Sequence, residues 1–477
     1  MEACLDKDIV IAVDLDGTLT MSDTLYESVL CVLRDNLRNV IALPFLILQD
    51  GAAFKAKVAD LATLDVTMLP YNVALIDWLK EERAAGRTIV LCTAAEERLA
   101  EAVASHLGFF DEVIATKRGI DNEGVTKRAT LEEKFGIKGY DYAGNSEVDL
   151  EVWAGARQAI VVNANKAVVT QATQGGNVSK FFLVQPIKLS QYNKLFRAHR
   201  LLANLLLFLP LFAAHQISSI QSLLTLFPAF LSFSLCASGM YIVNDLLDLE
   251  SDRRHYRKCT RPFASAVVRI KSGAIAAPIF VIAGFLLGLI VGTAFSAWLF
   301  AYALLTFAYS FRLKRLVIID CVTLAALYSF RIIAGAVVVA IPFSFWLLSF
   351  FSLIFLSLAF VKRYAELTEQ VQVGDNYFYG TGYEVKDRPL LCALGITAGY
   401  GAVLMLPLYL HSDITVSLYT RPQLVWLVVP LVLFWVSRLW MKVLRGEIID
   451  EPYVFTLKDK VSRVIVLLNI GLFVLVV

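Results

Sequence analysis

About nine long apolar runs, all in the second part of the chain, restrict what it can fold into. They lie near residues 201–217, 222–243, 272–292, 294–310, 316–338, 344–361, 389–410, 423–441 and 461–477. Crossing a hydrocarbon core takes about 20 apolar residues of helix, so the runs predict an all-α transmembrane bundle of about nine helices. Residues 1 to about 190 differ in kind, with frequent Asp, Glu, Lys and Arg. With 57% hydrophobic and 18% charged residues, the chain is too apolar for a soluble enzyme and too charged for a bundle alone. Two parts are therefore expected.

Charge predicts the orientation. Loops around 244–271, 311–315, 362–388 and 438–460 hold nearly all the Lys and Arg of the apolar half, and the alternate loops are almost neutral. The positive-inside rule puts the charged loops and the N-terminal part in the cytoplasm, with the C-terminus outside, as in a bacterial inner-membrane protein. Residues 1–8 are polar and 9–13 are a short strand-like run, so no signal peptide is read there. The seven cysteines show no metal spacing and read as reduced packing residues. A net charge of +2 gives no reason to expect nucleic acid, and no internal repeat is evident.

The end of the second apolar run is acidic: Asn244, Asp245, Asp248, Glu250 and Asp252. Spacings of three and four place Asp245, Asp248 and Asp252 on one face of a helix. Like charges there repel and are costly to desolvate beside hydrocarbon. A divalent cation relieves both costs, and magnesium takes carboxylates together with substrate phosphate oxygens. The stretch reads as a Mg²⁺–diphosphate site; the bland alternative is a solvated acidic helix end. Arg253, Arg254, Arg257, Lys258, Arg261, Arg269 and Lys271 follow and suit a polyanion. Arg197, Asn204, Tyr309, Lys314, Asp320, Arg331, Lys362, Arg363 and Glu366 recur at helix ends on the same predicted side. Ionisable groups at that depth usually face the bundle interior, although a lone Lys or Arg can snorkel outward. Asp320 and Arg331 lie three helical turns apart on one face and read as functional.

The segment GMYIVNDLLDLESDRRHYRKCTRPFASA (239–266) resembles the first aspartate-rich motif of the UbiA family of intramembrane prenyltransferases. YSFRLKRLVIIDCVTLAALYSFRIIAGA (309–336), FVKRYAEL (360–367) and DEPYVFTLKDKVSR (450–463) are similar to one branch of it, the decaprenyl-phosphate phosphoribosyltransferases. The resemblance covers about residues 190–477 and implies a magnesium-dependent site open to the cytoplasm. Metal would go to Asn244, Asp245, Asp248 and Asp252. Substrate would go to Arg197, Asn204, Asn244, Arg253, Tyr309, Lys314, Asp320, Arg331, Lys362, Arg363 and Glu366. Two departures stand out. Aromatic prenyltransferases carry a second carboxylate pair, whereas Asp320 stands alone, with Leu324 four residues on. The first helix keeps Arg197 and Asn204 but has Leu201 and Ala203 where the family usually has Trp and Lys before the Asn.

In the first part, IVIAVDLDGTLT (9–20) is an apolar strand ending in Asp14-x-Asp16-Gly17-Thr18. It resembles motif I of haloacid dehalogenase-like phosphohydrolases, implying a Rossmann-like α/β domain with a small helical cap over 21–75. Asp14 would be the nucleophile and Asp16 the general acid/base, with Thr93 binding phosphate and Lys127 pairing with the nucleophile. Magnesium would be held by Asp14, Asp16 and Asp149. Asn145 stands where the family's last motif usually has an acid, so an active phosphatase and a degenerate one both remain open. In the cap, LPFLILQ (43–49) is apolar enough to face a membrane or a lipid substrate.

The domain expectation is a phosphohydrolase over 1–170, a linker over 171–196 and the transferase over 197–477. Together these predict transfer of 5-phosphoribose from phosphoribosyl diphosphate to a polyprenyl phosphate, with the fused phosphatase removing the 5-phosphate. The alternatives are transfer of a prenyl group to an aromatic or lipid acceptor, and a transporter or anchor with a vestigial phosphatase.

Overall fold

The structure, a computed structural model, describes residues 9–35, 51–117, 122–183, 202–214, 219–342, 344–373, 382–411, 422–448 and 452–476. Arg197 and the 43–49 segment lie outside these residues. The chain divides into two compact units, one formed from Met1–Leu195 with Asp245–Ala274 and the other from Phe196–Asn244 with Ile275–Val477. This differs from the expected division. The aspartate-rich segment, assigned by sequence to the membrane half, packs with the α/β half.

The α/β unit carries a six-stranded sheet in the order β3-β2-β1-β4-β5-β6. The strands are β1 Val10–Val13, β2 Ile89–Glu96, β3 Glu112–Thr116, β4 Tyr140–Gly144, β5 Ala159–Val162 and β6 Val178–Phe182, each parallel to its neighbours. Strands covered on both faces read as apolar runs. Accordingly, β1 sends Ile11 and Val13 into one core and Ala12 into the other. The order reverses between β1 and β4, and the crevice at their C-terminal ends is where open α/β sheets bind ligands. The expected cap contains the helices Thr24–Asp35 and Gly51–Leu61 and a short turn at Val66–Met68. The segment expected to be a linker from residue 171 instead completes the helix Lys166–Gln174 and supplies β6. Its Val178-Ser-Lys-Phe-Phe182 run, half-buried at its two ends and exposed between them, suits an edge strand better than a tether, and the Gly175-Gly176 pair before it makes the turn.

In the helical unit six helices are long and apolar enough to cross a membrane: Ile220–Leu247, Ile270–Val291, Thr293–Phe311, Ile319–Val338, Phe345–Glu369 and Val385–Leu410. The remaining three runs give shorter helices among the described residues, Leu202–Ala213, Val428–Leu444 and Lys460–Val476. Ile275, Ile279, Ile282, Leu286 and Ile290 are exposed along Ile270–Val291, a stripe suited to lipid. The opposite side of that helix uses small residues. A Cβ on Gly284 would lie 2.8 Å from Ser232 O, so glycine lets the two backbones approach, and Ser232 donates to Gly284 O at 2.7 Å.

Candidate active sites

Asp14 follows β1 directly, and its N–H donates to Ala143 O at 2.9 Å, extending the β1–β4 ladder to the residue expected to be the nucleophile. Lys127, near the start of the helix Val125–Phe135, donates to Asp14 Oδ1 at 2.8 Å and to the Tyr142 hydroxyl at 2.9 Å. Gly17, at φ +76°, lets the chain turn back under the strand end. A Cβ there would stand 2.0 Å from Asn145 Nδ2, so the glycine also admits Asn145. Asp16 accepts from Thr24 N at 2.6 Å, the first N–H of the cap helix. Asp14, Asp16, Lys127, Asn145 and Asp149 line a cavity of about 370 Å³, with Asp23, Ser28 and Lys55 contributed by the cap.

Burial dominates the electrostatics. It pushes Asp14 up to about 6 against the pull of Lys127. It also raises Asp16 well above the usual carboxylate range, with Asp23 adding to the effect. Burial works against the charge of Lys127 too, yet Asp14 and Asp149 hold it above the usual lysine range. Two carboxylates strained in their ionised form beside an amide oxygen make a donor set that fits a magnesium ion.

Two expectations change here. Asp149 does not present a free carboxylate: Oδ1 accepts from the Tyr142 hydroxyl, and Oδ2 accepts from Asn145 N, Ser146 N and Ser146 Oγ, each at 2.9 Å. It orders the loop after β4 and does not serve as a ready metal ligand. Thr93 is fully buried and accepts from Ala95 N at 3.0 Å, and at this strand end the cavity wall is Ala94 and Ala95. Asp23 and Lys55 were missed by sequence because neither belongs to a recognisable motif, and Tyr142, at the start of the last motif (142–153), was given no role there.

In the aspartate-rich segment, the helix stops at Leu247 and a new turn, Leu249–Arg254, begins after Asp248. The carboxylates therefore do not share one regular helical face. Arg261 lies 3.7 Å from Asp245 and grips Asp252 through both oxygens at 2.8 and 2.6 Å. A guanidinium thus supplies the neutralisation expected of a metal. Burial pushes Asp252 up to about 6, against the pull of Arg261. Asp245 and Asp248 are carboxylates of the type that magnesium takes. Among the described residues no group of three or more His, Cys, Asp or Glu converges on one point. Magnesium needs only one or two carboxylates when substrate phosphates complete its shell.

Arg253, expected to bind substrate, is engaged elsewhere. Its Nη1 and Nη2 donate to Glu27 at 3.1 and 2.6 Å, and Nη1 and Nε also reach Met68 O and Ala264 O. Both partners of this ion pair are buried, and stripping one partner from such a pair costs about 3–5 kcal/mol.

In the helical unit Asp320 and Arg331 head separate networks. Asp320 is fully buried and accepts from Arg363, from the Tyr383 hydroxyl and from Cys321 N. Arg363 also pairs with Glu366 at 2.5 Å and donates to Tyr309 at 3.1 Å, so four expected residues meet, joined by the unforeseen Tyr383. Arg331 donates to Asn204 Oδ1 at 2.9 Å and to the Tyr241 and Tyr302 hydroxyls at 3.2 and 3.1 Å, with Phe233, Tyr302 and Tyr328 rings around it. Lys314 is buried and reaches Asn244 Oδ1 at 3.5 Å. Lys362 is half-buried beside Arg363.

Comparison with known proteins bears on both halves. The profile of the UbiA prenyltransferase family matches residues 204–451, and that of haloacid dehalogenase-like hydrolases matches 11–152. The uncharacterized protein y4nM of Sinorhizobium fredii is 32% identical over 96% of this chain and 89% of its own. The nodulation protein NoeC of Azorhizobium caulinodans is 32% identical over 58% of this chain and 90% of its own. The decaprenyl-phosphate phosphoribosyltransferase of Mycolicibacterium smegmatis is 30% identical over 51% of this chain and 77% of its own.

Proposed function

The chain belongs to the UbiA prenyltransferase family, an integral membrane enzyme with a transferase part and a phosphohydrolase-like part, and from that premise we propose a phosphoribosyl transfer followed by dephosphorylation. The transferase part moves 5-phosphoribose from phosphoribosyl diphosphate to a polyprenyl phosphate of the decaprenyl type, in a bundle of about nine spans. The α/β part then removes the 5-phosphate. Both sites face the cytoplasm, where the charged loops belong.

One observation carries the choice of donor. Both oxygens of Asp320 are taken by Arg363, Tyr383 and Cys321 N, and the nearby Glu366 pairs with Arg363, so among the described residues these two do not offer a carboxylate pair to a second metal. That favours a donor needing one metal cradle over a prenyl diphosphate held by two. The named function of the mycobacterial relative supports the same reading.

Asp245, Asp248 and Asn244 are proposed to hold magnesium in the transferase part, and Asp14 and Asp16 with Asn145 in the α/β part. The ion supplies charge neutralisation of diphosphate or phosphate oxygens. The acceptor phosphate is already a nucleophile, so no strong general base is required. In the α/β part Asp14 is placed to attack phosphorus, Lys127 to hold the nucleophile and phosphate, and Asp16 to hold the proton for the leaving oxygen. Fusion raises the effective concentration of the second site over the first product.

The test is incubation of the full chain with radiolabelled phosphoribosyl diphosphate, Mg²⁺ and polyprenyl phosphate. Labelled lipid is expected. Label that stays water-soluble, with a prenyl diphosphate consumed in its place, overturns the donor assignment.

A further inference from the structure

We infer that Arg253, a residue of the aspartate-rich segment, is a positioning residue for the phosphohydrolase site, acting through Glu27 and the helix Thr24–Asp35. The inference rests on reading the α/β part as a phosphohydrolase. It makes that site dependent on a residue about 240 positions away from its nucleophile.

The helix Thr24–Asp35 serves two clients. At its start, Thr24 N holds Asp16 at 2.6 Å, and Asp23, Thr24, Leu25 and Ser28 line the cavity. Glu27 lies within the same turn, is not part of the cavity wall and is 4% exposed. Its carboxylate accepts from Ser22 Oγ at 2.5 Å and from both terminal nitrogens of Arg253. A planar fork on a carboxylate fixes direction as well as distance, so it sets the rotation of the helix and not only its height. Arg253 is itself anchored by Ala264 O and Met68 O. Two further ion pairs run from the same segment to the cap, Glu250 to Arg34 near the helix end and Arg254 to Asp65. The helix that presents Thr24 N–H to Asp16 is thus held at its start and its end by the aspartate-rich segment.

Proton transfer by Asp16 needs its carboxyl placed to a fraction of an ångström, and misplacement from a remote change lowers turnover without removing any group that touches substrate. The Arg253–Glu27 pair supplies that placement.

The experiment uses the full chain in detergent with Mg²⁺ and p-nitrophenyl phosphate. Glu27→Gln and Arg253→Gln should each lower kcat about 10-fold or more, with KM changed less than about 2-fold. The double variant should be no worse than the more damaged single, because both changes break one interaction. Arg253→Lys keeps the charge but loses the fork. It should hold Tm near wild type while kcat falls several-fold, a split that a purely structural role does not produce. Wild-type kcat in Arg253→Gln or in Arg253→Lys overturns the inference, as do effects that multiply in the double variant. A wild-type chain that turns over no phosphate ester overturns the phosphohydrolase reading, and this inference with it.

Discussion

Asp14 and Asp16 face a cavity, whereas Asp245 and Asp252 face an arginine, and the difference separates two ways of keeping buried carboxylates tolerable. In the α/β site, Lys127 neutralises only Asp14, through one oxygen, and the ionised pair stays strained. That strain is relieved when a cation and a phosphate arrive. In the aspartate-rich segment, Arg261 closes on both oxygens of Asp252, and relief is largely built in. Asp14 and Asp16 line a cavity that a ligand can enter, while in the second cluster Asp252 is gripped by Arg261 at 2.6 Å and Asp245 lies farther from the same guanidinium, at 3.7 Å.

The strongest test of that contrast is Asp14→Asn. The substitution removes the nucleophile at constant size, so phosphatase turnover should drop by about 10³-fold or more. Mass spectrometry of the lipid product should then show the 5-phosphate retained, where wild type yields the dephosphorylated lipid. Next come Asp245→Ala and Asp248→Ala, each expected to lower transfer by about 10²-fold or more, against a distinctly smaller loss for Asp252→Asn. Equal losses at all three positions would merge them into a single cradle and remove the division drawn above. Lys314→Ala should lower kcat/KM for the donor by about 10-fold, the loss of one charged hydrogen bond. The mildest effect is on pH. Asp14 must be ionised to attack and its carboxyl is pushed up to about 6, so phosphatase kcat/KM should fall as pH drops below about 6. An acid limb near the ordinary carboxylate range would mean that bound magnesium had already reversed the effect of burial.

How far these sites were legible depends on the range of the signal. Asp14, Asp16 and Lys127 were readable because strand, turn and helix each leave a local pattern, and the sheet brings them together in the expected way. The six long helices followed from run length alone. Asp149 was readable as a position but not as a role, since its hydrogen bonds depend on how the chain folds Tyr142 and Ser146 around it, which spacing within a motif does not show. The reach of Arg261 to Asp252 needs the chain to break after Asp248, and three acids on helical spacing gave no sign of that break. Arg253 looked like a phosphate ligand because sequence shows a basic run and not the buried Glu27 far upstream. Tyr383 joined the Asp320 network from a loop without apolar periodicity. Long-range pairing, and not residue type, is what one sequence concealed.

The α/β unit is discontinuous in sequence, and that bears on its synthesis. Glu27, Asp65 and Arg34 leave the ribosome well over a hundred residues before Arg253, Arg254 and Glu250. Between them comes Ile220–Leu247, a helix suited to the bilayer. The cap therefore cannot seat itself on its final partners until that helix has been made. Completion of the α/β unit waits on synthesis of a helix suited to the bilayer, and a chain that ends before Asp245 lacks part of that unit.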